Sequence, residues 1–217
     1  MNQIVFLEPN RLDSEPFTTS DVIAEYAKVN YRSIQRTIER NEGDFNVFGR
    51  VRFQITPLMT KGGVQDKKIY ILNEQQATLL ITYLKNTEPV RKFKVELVRQ
   101  FYAMRGELLA RHMYRAQGKP IRRELTDAVQ EFDDSRWSYK KYTDLAYKAA
   151  IGKLAKQLRE ERGAAKTAVA VDYMTADELD AVNKAQYRIG MLLEMGLDYQ
   201  QIKSLLLERK ALMQATA

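Results

Sequence analysis

The chain has 217 residues, 45% hydrophobic and 29% charged, the make-up of a packed soluble protein of one large domain or two small ones. With no cysteine and a single histidine, His112, it has no means of forming disulfides, zinc–thiolate fingers or a cysteine nucleophile, and little material for a histidine metal site or a Ser-His-Asp triad. Lys and Arg total 35 against 28 Asp and Glu, a formal charge of +7, which favours a polyanionic partner. No stretch approaches the ~18–20 apolar residues of a membrane span. The apolar run from Ile4 to Leu7 has no basic segment before it and is too short for a signal peptide, so the expected location is the cytoplasm.

In chain order, Ile4 to Leu7 reads as a short strand. Two brief helices follow: Thr19 is placed to cap the first, with Asp21 in its first turn, and Asn30 to cap a second from Tyr31 to about Asn41. Ile34 and Ile38, four apart, mark the inward face of the second helix. From Arg50 to Ile55 apolar and polar residues alternate, the pattern of a half-buried strand. Lys68 to Leu72 is its expected partner, with Pro57 and Lys61-Gly62-Gly63 in the connection. Asn73 and Gln76 form a capping box for a helix lined by Ala77, Leu80, Ile81 and Leu84. Pro89 opens a longer helix in which Val90, Phe93, Leu97, Phe101, Met104 and Leu108 recur at three-four spacing, long enough to offer a seam to a second chain.

Gln117-Gly118-Lys119-Pro120 reads as a helix break, and Arg162-Gly163 as a second joint, dividing the chain into 1–115, 120–163 and 172–217. The middle region carries a short helix marked by Leu125, Val129 and Phe132, a helix from Ser138 to Ile151, and another closing at Gly163. Trp137, Tyr139, Tyr142 and Tyr147 suggest a small satellite core, and Lys140, Lys141, Lys148, Lys153, Lys156 and Arg159 a second basic surface. The last region is a helical hairpin with a Thr175–Glu178 capping box, a stop at Gly196 and a new cap at Asp198 with Gln201. Leu179, Val182, Ile189 and Leu193 on one helix, and Ile202, Leu205, Leu206 and Leu212 on the other, need a third surface from the rest of the chain or from another subunit.

The strongest chemical signal is the helix-turn-helix from Ser20 to Arg40. Ala24 is small enough for the second helix to cross close by, and Ile23, Ala27, Val29 and Ile34 hold the pair together. The outer face of the second helix is then free for a major groove. Tyr31, Arg32, Ser33, Gln35 and Arg36 are the candidates for base edges, since Arg suits guanine and Gln suits adenine in bidentate pairing. Lys28 stands where such turns often carry glycine. A hairpin directly after this unit is the winged arrangement, and Arg40, Arg50, Arg52, Lys61, Lys67 and Lys68 are the candidate phosphate contacts. The alternatives are an ordinary helical hairpin with a solvated basic face, and lysines that merely discourage edge aggregation. Glu131 with Asp133-Asp134 reads as a solvated helix end and not as a magnesium site. The glycine-lysine pairs at 152–153 and 163–166 lack phosphate-loop spacing. No metal or cofactor is expected.

Thr18-Thr19-Ser20-Asp21-Val22-Ile23, Arg36-Thr37-Ile38, Ile69 to Ala77 and Val90-Arg91-Lys92-Phe93-Lys94 together resemble the phage regulatory protein Rha family. Lys141 to Lys148 with Gly152-Lys153 and Ala155 to Gly163 resembles the C-terminal extension of Rha-type prophage regulators and antirepressors. The resemblance implies a temperate-phage regulator in a bacterial host cell, acting on DNA or on another regulator. The sequence therefore reads as a mainly α-helical α+β protein: an N-terminal winged helix-turn-helix-like module with a β-hairpin, a long connecting helix and a helical C-terminal region. The expected activity is non-enzymatic, binding double-stranded DNA as a homo-oligomer, with a dimer favoured. The other reading is an antirepressor that grips a phage repressor through Val90, Phe93, Leu97, Phe101 and Leu108, or through the Leu179–Leu212 hairpin.

Overall fold

A computed structural model describes residues 3–7, 15–60, 63–133, 135 and 137–215, with residues 60 and 208–215 described by backbone alone. The chain forms two compact units: one holds most of the residues up to Gly106, the other those from Glu107 onward.

The first unit is built on a three-stranded antiparallel sheet of order β1-β3-β2, where β1 is Phe17–Thr19, β2 Arg52–Thr60 and β3 Gly63–Asn73. Between β1 and β2 lie α1 (Ser20–Tyr26), α2 (Tyr31–Arg40) and α3 (Glu42–Asn46); α4 (Glu74–Tyr83) and the start of α5 (Glu88–Phe132) follow β3. Ile23, Ile34, Ile38, Phe45, Leu72, Leu80, Leu97 and Phe101 are fully buried in one core, each contributing about 1.5–3 kcal/mol of burial energy. The capping box expected at Asn73 and Gln76 is present in full. The strand expected at Ile4–Leu7 reduces to a single bridge between Phe6 and Phe17. Here the Gln100 side-chain oxygen accepts from the Ile4 and Val5 amides at 2.8 and 3.1 Å, taking the place of a neighbouring strand. Thr19 is the N-cap residue of α1 but makes no capping bond; its hydroxyl donates to Asp21 Oδ1 instead.

The hairpin is longer than its sequence pattern suggests. Pro57 was expected in the connection, yet β2 runs through it, opposite Asp66. Proline is tolerated there because β2 is an edge strand, where a missing amide costs no ladder bond. The half-burial read from the Arg50–Ile55 alternation holds for Val51, at 8% exposure, and fails beyond it: Phe53 is 51% and Ile55 60% exposed.

In the second unit the remainder of α5 packs with α6 (Ser138–Ile151), α7 (Ala155–Glu161), a 3-10 turn at Ala170–Tyr173, α8 (Ala176–Glu194) and α9 (Tyr199–Ala215). The break expected at Gln117–Pro120 does not occur, and α5 continues through Pro120 to Phe132. Gly118 serves a close helix approach instead: a Cβ there would stand 2.5 Å from Asn183 Oδ1 on α8, and Asn183 Nδ2 donates to the Tyr114 carbonyl at 2.8 Å. The short helix expected around Leu125 is thus the end of α5. The capping pairs Thr175–Glu178 and Asp198–Gln201 form as read.

The third surface needed by the last helical hairpin comes from this same unit. Leu125, Val129, Tyr142, Leu145, Ile189, Leu193 and Ile202 share one core, and Tyr147, Leu158, Leu179 and Val182 another. Trp137 lies outside the aromatic cluster, 66% exposed at the N-cap position of α6, while Tyr142 packs edge-on against Tyr199 at 5.4 Å. The proposed partner seam is also internal: Val90, Phe93, Leu97 and Phe101 lie in the first unit's core, and Leu179, Val182, Ile189, Leu193 and Ile202 in the second's. Leu206 packs partly against the second core, Leu108 is half-buried, and Leu205 is exposed. The side chain of Leu212 lies outside the described residues. The stripes are apolar because they face their own unit, which sequence spacing alone does not distinguish from facing a partner.

Candidate nucleic-acid interface

The turn between α1 and α2 closes by two bonds, the Val29 amide to the Ala24 carbonyl at 2.9 Å and the Lys28 amide to the Glu25 carbonyl at 3.3 Å. This is a Schellman-type helix end. Its left-handed position is Lys28, at φ +52°, so the turn often made by glycine forms here with a side chain. Asn30 then caps α2, its side chain accepting from the Arg32 amide. Ala24 and Ala27 are buried between the helices beside Ile23 and Ile34, the small-residue crossing expected from the sequence.

Around α2 the burial is one-sided. Ile34 and Ile38 are fully buried; Arg32, Ser33, Arg36 and Arg40 are exposed, and Gln35 and Thr37 lie between. Because residues four apart share a helix face, Arg32, Arg36 and Arg40 form one continuous basic stripe. The one acid on that side, Glu39, is drawn toward the sheet, where its carboxylate accepts from the Tyr70 hydroxyl at 2.8 Å. Burial and this bond push the Tyr70 phenol well above its ordinary range.

Tyr31 is placed differently from the other candidates. Its hydroxyl donates to the Lys68 carbonyl and receives a long bond from Ser20 Oγ; burial holds the phenol above its usual pKa. Ser20 Oγ in turn accepts from the buried Tyr70 amide at 2.9 Å. β1 pairs with β3 only as far as Thr19 opposite Ile71, so Ser20 and Tyr31 bond the next stretch of β3 with side chains. They lock the start of α2 against the hairpin. This role was not legible in the sequence, where both residues are ordinary helix-terminal types.

The hairpin cations separate. Lys67 reaches the α2 end, its ammonium 4.5 Å from the Tyr31 ring. Lys68 points to the opposite face, over Phe53 at 4.3 Å and Tyr70 at 4.7 Å. Arg50 and Arg52 are exposed, and Lys61 lies outside the described residues. Half of the second basic surface is paired with acids: Lys141 with Asp133, Lys153 with Glu161 and Lys156 with Glu160. Among the described residues no cluster of three metal-ligating side chains occurs, and no helix is long and apolar enough to cross a membrane.

The first unit therefore sets a helix with a basic outer stripe beside a two-stranded arm. Residues 18–106 match the family of phage regulatory protein Rha. The match begins in β1, takes in the helix-turn-helix, the hairpin and α4, and ends on α5 at the last residue of the first unit. The matched stretch lies within the first unit and covers less than half of the chain. A search of curated proteins finds no match to the chain.

Proposed function

We propose that this protein is a phage or prophage regulator that binds double-stranded DNA, as a dimer, through α2 of its Rha module. The observation that carries this is the Arg32–Arg36–Arg40 stripe on the exposed side of α2, opposite the buried Ile34 and Ile38, with the Lys67 ammonium at the helix start. Arg32, Ser33, Gln35 and Arg36 would read base edges in the major groove. Arg40, Arg50, Arg52 and Lys67 would hold phosphates, which fix register and carry no sequence information. Tyr31 is a positioning residue in this reading, since its hydroxyl is engaged within the module.

The test is a gel shift of the purified full chain on its phage control region across a salt series. With ~6 phosphates contacted, the log–log slope should be near −5. A flat salt response with no preference for control-region DNA would sink the proposal. Repeating the titration with the cognate repressor separates this reading from the antirepressor one, in which DNA is shifted only by removing a repressor already bound.

A further inference from the structure

The distal hairpin is an amphipathic two-stranded arm whose apolar face is left uncovered by the described residues. Strand pleating sends Phe53, Ile55, Pro57 and Met59 of β2 to one face, and their register partners Tyr70, Lys68, Asp66 and Val64 of β3 to the same face. The other face carries Gln54, Thr56, Leu58, Lys67 and Gln65. At its base the first face is core, through Tyr70 and Leu72. Farther out Phe53, Ile55, Met59 and Val64 are 51%, 60%, 79% and 62% exposed. An isolated two-stranded hairpin is marginal in water, and alternation this regular normally signals that one face is covered.

We propose that this face packs against the same face of a second copy of the chain, forming an arm-to-arm dimer. Its charges are self-complementary. From base to tip the rows are Phe53–Tyr70, Ile55–Lys68, Pro57–Asp66 and Met59–Val64. A twofold axis crossing the arm between the two middle rows runs the arms antiparallel and lays β3 on β3. Lys68 then faces the partner's Asp66, and Phe53 the partner's Met59, with both ion pairs generated by one symmetry operation. The patch on each chain is on the order of 400 Å², the scale of the largest apolar patch on a typical monomer. Doubled, and with Pro57, Asp66 and Lys68 added, it comes to about the ~1,200 Å² at which specific interfaces begin. Pro57 denies a ladder amide to any strand adding along β2, which favours face-on packing over edge addition. A polyanion is a poor occupant, since Asp66 stands in the middle of the face. The arm contact is separate from DNA binding by α2, since Lys67, beside the start of α2, lies on the opposite face of the arm; DNA binding can fail with this contact intact, and this contact can fail with DNA binding intact.

Sedimentation equilibrium of the full chain tests this. The wild type should be a dimer. Ile55→Ser with Met59→Ser should raise its dissociation constant at least tenfold, with the far-UV circular dichroism unchanged because both side chains are exposed. Lys68→Glu should dissociate the dimer and Lys68→Glu with Asp66→Lys should restore it. A dimer indifferent to the serine pair, or a charge swap that fails to restore association, overturns the proposal. So does a monomeric wild type whose DNA affinity falls in the serine variant, which would put nucleic acid on this face.

Discussion

Lys28 is the point at which local backbone energetics and the geometry of the candidate interface meet. It occupies the left-handed position of the Schellman turn that sets the angle between α1 and α2, at φ +52°. For a residue with a Cβ that conformation costs roughly 1–2 kcal/mol. Glycine removes the cost but loses more chain entropy on folding, about 0.5–1 kcal/mol. Lys28 lies beyond the last helical residue of α1, so no helix-interior penalty is added. Lys28→Gly should therefore stabilise the first unit by about 0.5–1 kcal/mol, and Lys28→Ala, which keeps the Cβ, should change it little. In a domain of about a hundred residues each kcal/mol moves Tm by roughly 4–8 °C. The assay is thermal unfolding followed by circular dichroism, with exchange of the Ile34 and Ile38 amides as a local readout. Fluorescence of Trp137, the sole tryptophan, reports the second unit and should not move. A glycine variant no more stable than the alanine one would show that the turn carries no strain, and the reasoning would fail.

Ser20→Ala leaves the buried Tyr70 amide without its 2.9 Å acceptor; a loss of about 1–3 kcal/mol is expected in urea unfolding, and less than a few tenths would mean that the contact is dispensable. Arg36→Ala should cost ~1–3 kcal/mol at a single base position, whereas Lys67→Ala should weaken all sequences alike and flatten the salt slope by about one; binding to a panel of point-mutated sites distinguishes them. Gly118→Ala forces Asn183 away from the Tyr114 carbonyl. That costs about 1–3 kcal/mol, of which alanine's helix preference returns about 1, so calorimetry should find the second unit less stable. Asp133 is held below the ordinary carboxylate range by the hydrogen bond from Lys141. Its folded pKa lies below the unfolded value of about 3.9, so its contribution is present above that pH and lost as pH falls through the folded pKa. Asp133→Asn should make acid unfolding, read by Trp137 fluorescence, less steep.

Local signals were legible where local physics decides the outcome. Asn30, Asn73, Thr175 and Asp198 announced helix starts because a capping side chain acts within three residues of itself. Ile34 and Ile38 announced the inner face of α2, and by subtraction its basic outer face. By itself, then, the sequence determined the helix-turn-helix, the hairpin, most helix boundaries and the Rha-like pattern. Tertiary structure decided the rest. Whether Gly118 marks a helix break depends on whether another helix comes close enough to use the missing Cβ, and α8 does. Whether Val90 to Phe101 and Leu179 to Ile202 meet a partner or their own unit depends on packing that spacing cannot encode. The roles of Tyr31, Ser20 and Glu39 rest on bonds spanning 31 to 50 residues of chain. The two faces of the arm were visible as alternation, but only the folded chain showed that Phe53, Ile55, Met59 and Val64 on one of them stay exposed, since burial depends on which surfaces meet as well as on the order of residues in a strand.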